Sequence, residues 1–216
     1  MKDILCYGDS NTWGFMPNCG KRYDAQTRWT GVLQQELGSE WRVHEDGLNA
    51  RNSVFDAPYK PFLNGLTTLP SSLISQKPLD VLVISLGTND LKKHTAVQSA
   101  MGVAQLVRET LILSADAPIG YDIFKDKRRI IVVSPIQVWE GIGTLDTDSD
   151  LVHAYEESTK FPQAFRKALA DFPVTLIDAQ QFAQPSHKDG VHMEPEGHHA
   201  LGMAVAEAVR AIMAEA

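Results

Sequence analysis

The 216 residues carry 20 Lys+Arg against 27 Asp+Glu, a net charge of −7, with 44% hydrophobic and 22% charged positions. This suits one soluble globular domain over 1–216, large enough for a proper core. The acidic balance argues against nucleic acid or anionic membranes as partners, since both recruit Lys/Arg patches, and no stretch approaches the ~20 apolar residues of a membrane span.

In chain order, the first apolar run, Ile4–Tyr7, reads as a strand and stops at Gly8-Asp9-Ser10-Asn11. Cys6 sits in this run as a small core residue, and Cys19 lies in a Pro/Asn/Gly turn. Two cysteines make no disulfide framework, and no basic-then-apolar leader opens the chain, so a reducing, cytoplasmic setting is expected. Arg28–Leu37 has helical spacing, with Trp29, Val32, Leu33 and Leu37 on one side. Trp41–Glu45 is a second strand and runs into Asp46-Gly47-Leu48-Asn49. A less regular helix covers Phe62–Ser75.

The third strand, Val81–Leu86, leads into Gly87-Thr88-Asn89-Asp90. Val97–Leu113 carries Val97, Met101, Ala104, Val107 and Leu111 at helical steps. The basic run Lys125–Arg129 is broken by Asp126 and reads as a solvated loop. A fourth strand follows at Ile130–Ser134, then a long aperiodic loop, Val138–Asp150, then a helix over Val152–Phe172. The fifth strand is Val174–Asp178, followed by HKDGVH and a closing helix, Pro195–Met213, with proline suited to its first turn. The continuous, β-branched third and fourth runs fit strands covered on both faces. Strand-helix alternation therefore predicts an α/β fold with a parallel sheet between helices.

Ligands of open parallel sheets bind at the carboxyl ends of the strands, so the residues after each strand are the candidates. They supply a hydroxyl at Ser10, a carboxylate at Asp189 and an imidazole at His192. A serine hydroxyl needs a base to become a nucleophile, and imidazole titrates in the useful range. Asp189 precedes His192 by three residues, which on one turn lets the carboxylate hold the far ring N–H. Attack on an ester creates an oxyanion, for which the Ser10 and Gly47 N–H groups and the Asn89 amide are candidate donors. These are parts for acyl transfer.

The other readings are plainer. Asp9 braces its loop and Asp90 caps the segment after it. Trp13 serves either as packing or as a substrate-pocket wall, and Trp139 rims the pocket or lies in a subunit contact. His198 and His199 belong to the surface or the site's surroundings, and His44, His94 and His153 have no evident partner. His187, Asp189 and His192 also admit a metal reading, but their spacing matches no metal motif, so neither metal nor cofactor is expected. Gly8 and Gly14 form no phosphate loop, since no G-K-[ST] comes after them. A ligand-binding protein without catalysis and a metal-dependent hydrolase are the competing function classes.

GDSN, the glycine of DGLN, GTND and DGVH occur in the order that characterises the SGNH, or GDSL-type, hydrolases. The sequence resembles that family from Ile4 to nearly its end, and EDGLNAR with LPSSLISQKPLDVLVISLGTND resembles its arylesterase and acyltransferase branch. The resemblance implies a three-layer α/β/α sandwich, a five-stranded parallel sheet in flavodoxin-like order 2-1-3-4-5, a Ser10/Asp189/His192 triad and an oxyanion hole from Ser10, Gly47 and Asn89. It also implies a small-molecule ester substrate with short acyl or aryl groups, acetylated sugars close behind, and a homo-oligomer. Asn11 departs from the pattern, because many members have leucine there. No G-x-S-x-G elbow is present, which separates the chain from the α/β-hydrolase pattern.

Overall fold

The computed structural model describes residues 1–115, 120–145 and 150–215. Among them five strands form at the expected apolar runs: β1 (Lys2–Gly8), β2 (Trp41–Gly47), β3 (Val81–Ser85), β4 (Ile130–Ser134) and β5 (Val174–Asp178). All neighbours are parallel, in the order β2-β1-β3-β4-β5. The helices are α1 (Ser10–Trp13), α2 (Trp29–Leu37), α3 (Gly65–Gln76), α4 (Ala96–Leu113), α5 (Tyr155–Ser158), α6 (Phe161–Ala168) and α7 (Pro195–Ala214).

Alternate strand residues feed two cores, which is why the runs are apolar throughout. Ile4, Cys6, Val81, Val83, Ile131 and Val133 pack against α2 and α7 through Trp29, Leu33, Leu201 and Val205. Leu5, Tyr7, Leu82, Ile84 and Val132 face the other way, onto Leu69 and Leu73 of α3, Val103 and Val107 of α4, and Phe161 and Phe165 of α6. Each fully buried aliphatic side chain contributes roughly 1.5–3 kcal/mol. The sheet is thus the middle of three layers.

The expectations for two helices need correcting. The buried stripe of α4 is Ala96, Ala100, Val103 and Val107, while Val97 and Met101 stand 57% and 62% exposed. Small alanines let the helix lie close to its neighbours, and a reading weighted by side-chain size misses them. The helix expected over Val152–Phe172 is two short ones. Pro162 has no N–H for the Ser158 carbonyl, and that carbonyl instead accepts from Gln180 Nε2 at 2.8 Å.

Of the expected long loop, residues 138–145 and 150 are described and include a 3-10 turn at Glu140–Thr144; residues 146–149 lie outside the described residues. Trp139 stacks on His187, ring centroids 4.6 Å apart, and its N–H donates to the Gly190 carbonyl at 2.8 Å. Among the described residues no helix is long and apolar enough to cross a membrane.

His198, expected at the surface or in the site's surroundings, is fully buried where α2 meets α7. Its Nδ1 accepts from the Trp29 N–H at 3.4 Å, and Tyr23 meets the ring edge-on at 5.3 Å. Burial, with the charges of His192 and Arg28, pushes its pKa down to about 4. The unfolded imidazole takes a proton near pH ~6.5 and the folded one only near 4. Stability on this account is full above the unfolded value and falls as pH drops from there to 4, by on the order of 3 kcal/mol. Asp9 opposes it, since burial raises its carboxyl to about 6 and folded Asp9 therefore takes a proton first. His198→Phe is expected to lose less Tm than the wild type between pH 6.5 and 4; parallel Tm curves would remove this account.

Candidate active site

The chain runs from β1 out to β2 and then back to β3 on the other side of β1. The loops after β1 and β3 therefore part at their carboxyl ends and leave a crevice. Ser10 stands on one lip, at the start of α1, and Asn89 on the other, in a 3-10 turn at Thr88–Lys92. Asp9 caps α1, its Oδ1 accepting from the Asn11 N–H at 3.0 Å. The turn is tight enough that a Cβ on Gly8 would lie 2.0 Å from Thr12 Oγ1 and 2.8 Å from the Ser85 carbonyl. Glycine before the serine is what lets α1 fold back over the strand.

His192 arrives from the loop between β5 and α7. Its Nε2 lies 2.9 Å from Ser10 Oγ, and its Nδ1 lies 2.8 Å from Asp189 Oδ2. The three expected residues therefore meet in a row. Asp189 Oδ1 also accepts from the Val191 and His192 N–H groups, both at 3.0 Å. Burial alone would raise the Asp189 pKa, but the hydrogen bond and charge of His192 and these backbone donors hold it down to about 2. A carboxylate facing Nδ1 keeps the proton on that nitrogen and leaves the Nε2 lone pair toward the hydroxyl.

Two participants escape the sequence reading. Phe15 stacks on the His192 ring, centroids 4.3 Å apart and planes at 28°. The Asn18 N–H donates to Asp189 Oδ2 at 3.2 Å. The segment holding them comes after α1 and has no hydrophobic period to mark it. Trp13, read either as packing or as a pocket wall, lies under the Arg22 guanidinium, 5.3 Å from its ring centre; Phe15 is among the residues lining the cleft.

Asn89 Nδ2 carries two hydrogens. One goes to the Arg51 carbonyl at 3.2 Å, leaving the other for a ligand. Arg51 is itself fixed, its Nη1 donating to the Gly8 and Asp46 carbonyls at 2.9 and 2.7 Å, and its guanidinium 4.0 Å above the Tyr7 ring. The Asp90 carboxylate does not cap. It turns inward to accept from Ser53 N–H at 2.8 Å and from the Ser53 and Ser99 hydroxyls at 2.7 Å, tying the Asn89 turn to α4.

Gly47 ends β2 against α1, where a Cβ would come within 2.2 Å of the Trp13 nitrogen. The residues that follow it and line the cleft are Asn49 and Ala50. Ala50 holds a φ of 64°, in the left-handed region. Together Ser10, Phe15, Asn49, Ala50, Asn89 and His192 line a cleft of about 530 Å³, a size suited to a small molecule. No group of three or more His, Cys, Asp or Glu among the described residues is arranged to hold a metal ion.

Residues 6–200 match the model of the GDSL-like lipase/acylhydrolase family. The chain belongs to this family. Ester hydrolysis is the activity that membership assigns, and solved structures agree with it. The aryl esterase of M. smegmatis is 32% identical, with a TM-score of 0.86, over 98% of this chain and 99% of that one. Est24, a carbohydrate acetylesterase from Sinorhizobium meliloti, is 29% identical, with a TM-score of 0.87, over 98% of this chain and 100% of that one. A search of curated proteins gave no significant match. The GDSL-like chain has the α/β sheet of these structures, and its Asn11 amide bonds the loop carrying His192.

Proposed function

We propose that this GDSL-like hydrolase is a serine esterase cleaving short-chain acyl and aryl esters through an acyl-enzyme on Ser10. The observation that carries the reading is the continuous Ser10–His192–Asp189 chain of 2.9 and 2.8 Å contacts. In this mechanism His192 Nε2 takes the hydroxyl proton as Ser10 Oγ attacks the ester carbonyl. The carbonyl becomes an oxyanion, met by the Ser10 N–H, the free Asn89 hydrogen and a backbone N–H of the Gly47–Ala50 loop; one such donor is typically worth about 10²–10³ in kcat. His192 passes its proton to the departing alcohol, and the acyl group stays on Ser10. Water then gives up a proton to His192 and attacks the acyl-enzyme, releasing the acid and restoring the hydroxyl. An alcohol taking the place of water yields a new ester, so acyl transfer uses the same residues.

Removal of acetyl groups from sugars is the second reading, supported by the likeness to the S. meliloti acetylesterase. The test is a panel of p-nitrophenyl esters of rising chain length alongside acetylated sugars. Turnover is expected to be fastest with the acetyl ester and to fall as the acyl chain grows. Absence of turnover with every ester, in protein of intact fold, would sink the proposal.

A further inference from the structure

The residue after the candidate nucleophile holds the histidine. Asn11 is 8% exposed, and its amide reaches across 180 residues of sequence to the loop between β5 and α7. Nδ2 donates to the Val191 carbonyl at 3.4 Å, and Oδ1 accepts from the Met193 N–H at 3.1 Å. These are the carbonyl just before His192 and the N–H just after it.

The remaining two backbone groups of His192 are held from elsewhere. Its own N–H donates to Asp189 Oδ1 at 3.0 Å, and its own carbonyl accepts from the Ser186 N–H at 2.7 Å. The Asn11 amide thus holds the peptide groups on both sides of His192, while Asp189 and Ser186 hold the residue's own N–H and carbonyl. Asn11 is covalently next to Ser10, and its own N–H is tied to Asp9.

We infer that Asn11 is a positioning residue: its amide fixes the backbone on both sides of His192 and so sets the imidazole against the Ser10 hydroxyl. Leucine at this position has the right bulk but no polar atoms. It leaves the Val191 carbonyl and Met193 N–H without these partners in a place where both residues are buried. The ring then loses its fixed aim while the cleft keeps its shape, so the loss falls on the chemical step and not on binding.

The inference rests on the esterase reading, and its test separates the two. Asn11→Leu is expected to lower kcat on p-nitrophenyl acetate by about 10- to 100-fold, with KM changed less than about threefold, as for misplacement of a reacting group. The proton in the Nδ1–H···Asp189 hydrogen bond gives a downfield NMR signal that needs no turnover. That signal is expected to be sharp in the wild type and broadened or lost in the variant. Asn11→Asp retains the acceptor for Met193 but opposes the Val191 carbonyl with a carboxylate oxygen, and is expected to lie between the two in both readouts. Should Asn11→Leu not fold, Asn11→Asp carries the test alone. A drop in Tm with kcat and the NMR signal unchanged would make Asn11 merely structural and overturn the inference. A wild type with the sharp signal but no activity on any ester would overturn the esterase reading instead.

Discussion

Replacing Ser10 with alanine is expected to lower kcat for p-nitrophenyl acetate by about 10⁴-fold or more, about 5 kcal/mol or more of barrier, with the protein still folded. The two effects differ in size because they depend on different things. Ser10 is 7% exposed and its Oγ touches His192 Nε2, so removing the oxygen forfeits one hydrogen bond, typically about 0.5–1.5 kcal/mol of stability. In the proposed mechanism catalysis loses the atom that forms the covalent bond, and with it the reason for the His192 base. The remaining donors at Asn89 and the 47–50 loop still bind a carbonyl but have no nucleophile to serve. The measurement is steady-state kinetics with Tm as the control for folding, joined to mass spectrometry after a serine-directed organophosphonate. The wild type is expected to gain the reagent's mass at Ser10 and the variant none. Activity in Ser10→Ala above about a hundredth of the wild type would mean that another group attacks.

How much of this site is legible in the sequence depends on whether a feature is local. The strands are legible because VLVI and IIVV pack on both faces, Leu82, Ile84, Ile130 and Val132 into one core and Val81, Val83, Ile131 and Val133 into the other. The site lies where open parallel sheets place it, after the strands, so the segments just past the apolar runs yield Ser10, Asn89, Asp189 and His192 without coordinates. The Asp189–His192 pairing is legible because three residues on a turn fix its geometry. Contacts between distant segments are not. Phe15 meets His192 and Asn18 meets Asp189 across more than 170 residues, and nothing in GFMPNCG announces either. Asn11 is visible only as a departure from leucine, because the groups it bonds are backbone atoms and carry no sequence signature.

Other placements have physical causes too. The chain reversal after α1 sends Phe15 to the cleft and leaves Trp13, read either as packing or as a pocket wall, beside Arg22. Gly47 reads in sequence as a donor to substrate, and the structure adds that a Cβ there would meet the backbone of α1. A glycine in a motif marks a close approach but not what approaches. Asp90 reads as a cap because aspartate after a strand commonly caps; its carboxylate serves the buried Ser53 and Ser99 hydroxyls.

The second large effect is expected at Asp189. Asparagine there keeps the shape, and its oxygen can still take the Val191 and His192 N–H groups that Oδ1 now accepts. Its NH₂ then faces His192 Nδ1 and the Asn18 N–H, where a carboxylate oxygen stands at 2.8 and 3.2 Å. A donor opposite Nδ1 moves the ring proton to Nε2, and an Nε2–H cannot accept the proton of Ser10. The imidazolium that forms during attack also loses its counter-charge. Asp189→Asn is therefore expected to cost about 10⁴-fold in kcat with little change in KM. The pH dependence of stability gives an independent readout. Asp189 is held down to about 2 in the fold against 3.8 as the ordinary value, so its contribution is present above 3.8 and lost as pH falls toward 2. The Tm difference between wild type and Asp189→Asn is expected to be largest near neutrality and to shrink below pH ~4. A variant within tenfold of wild-type kcat would show that the carboxylate neither sets the tautomer nor supports the charge of His192.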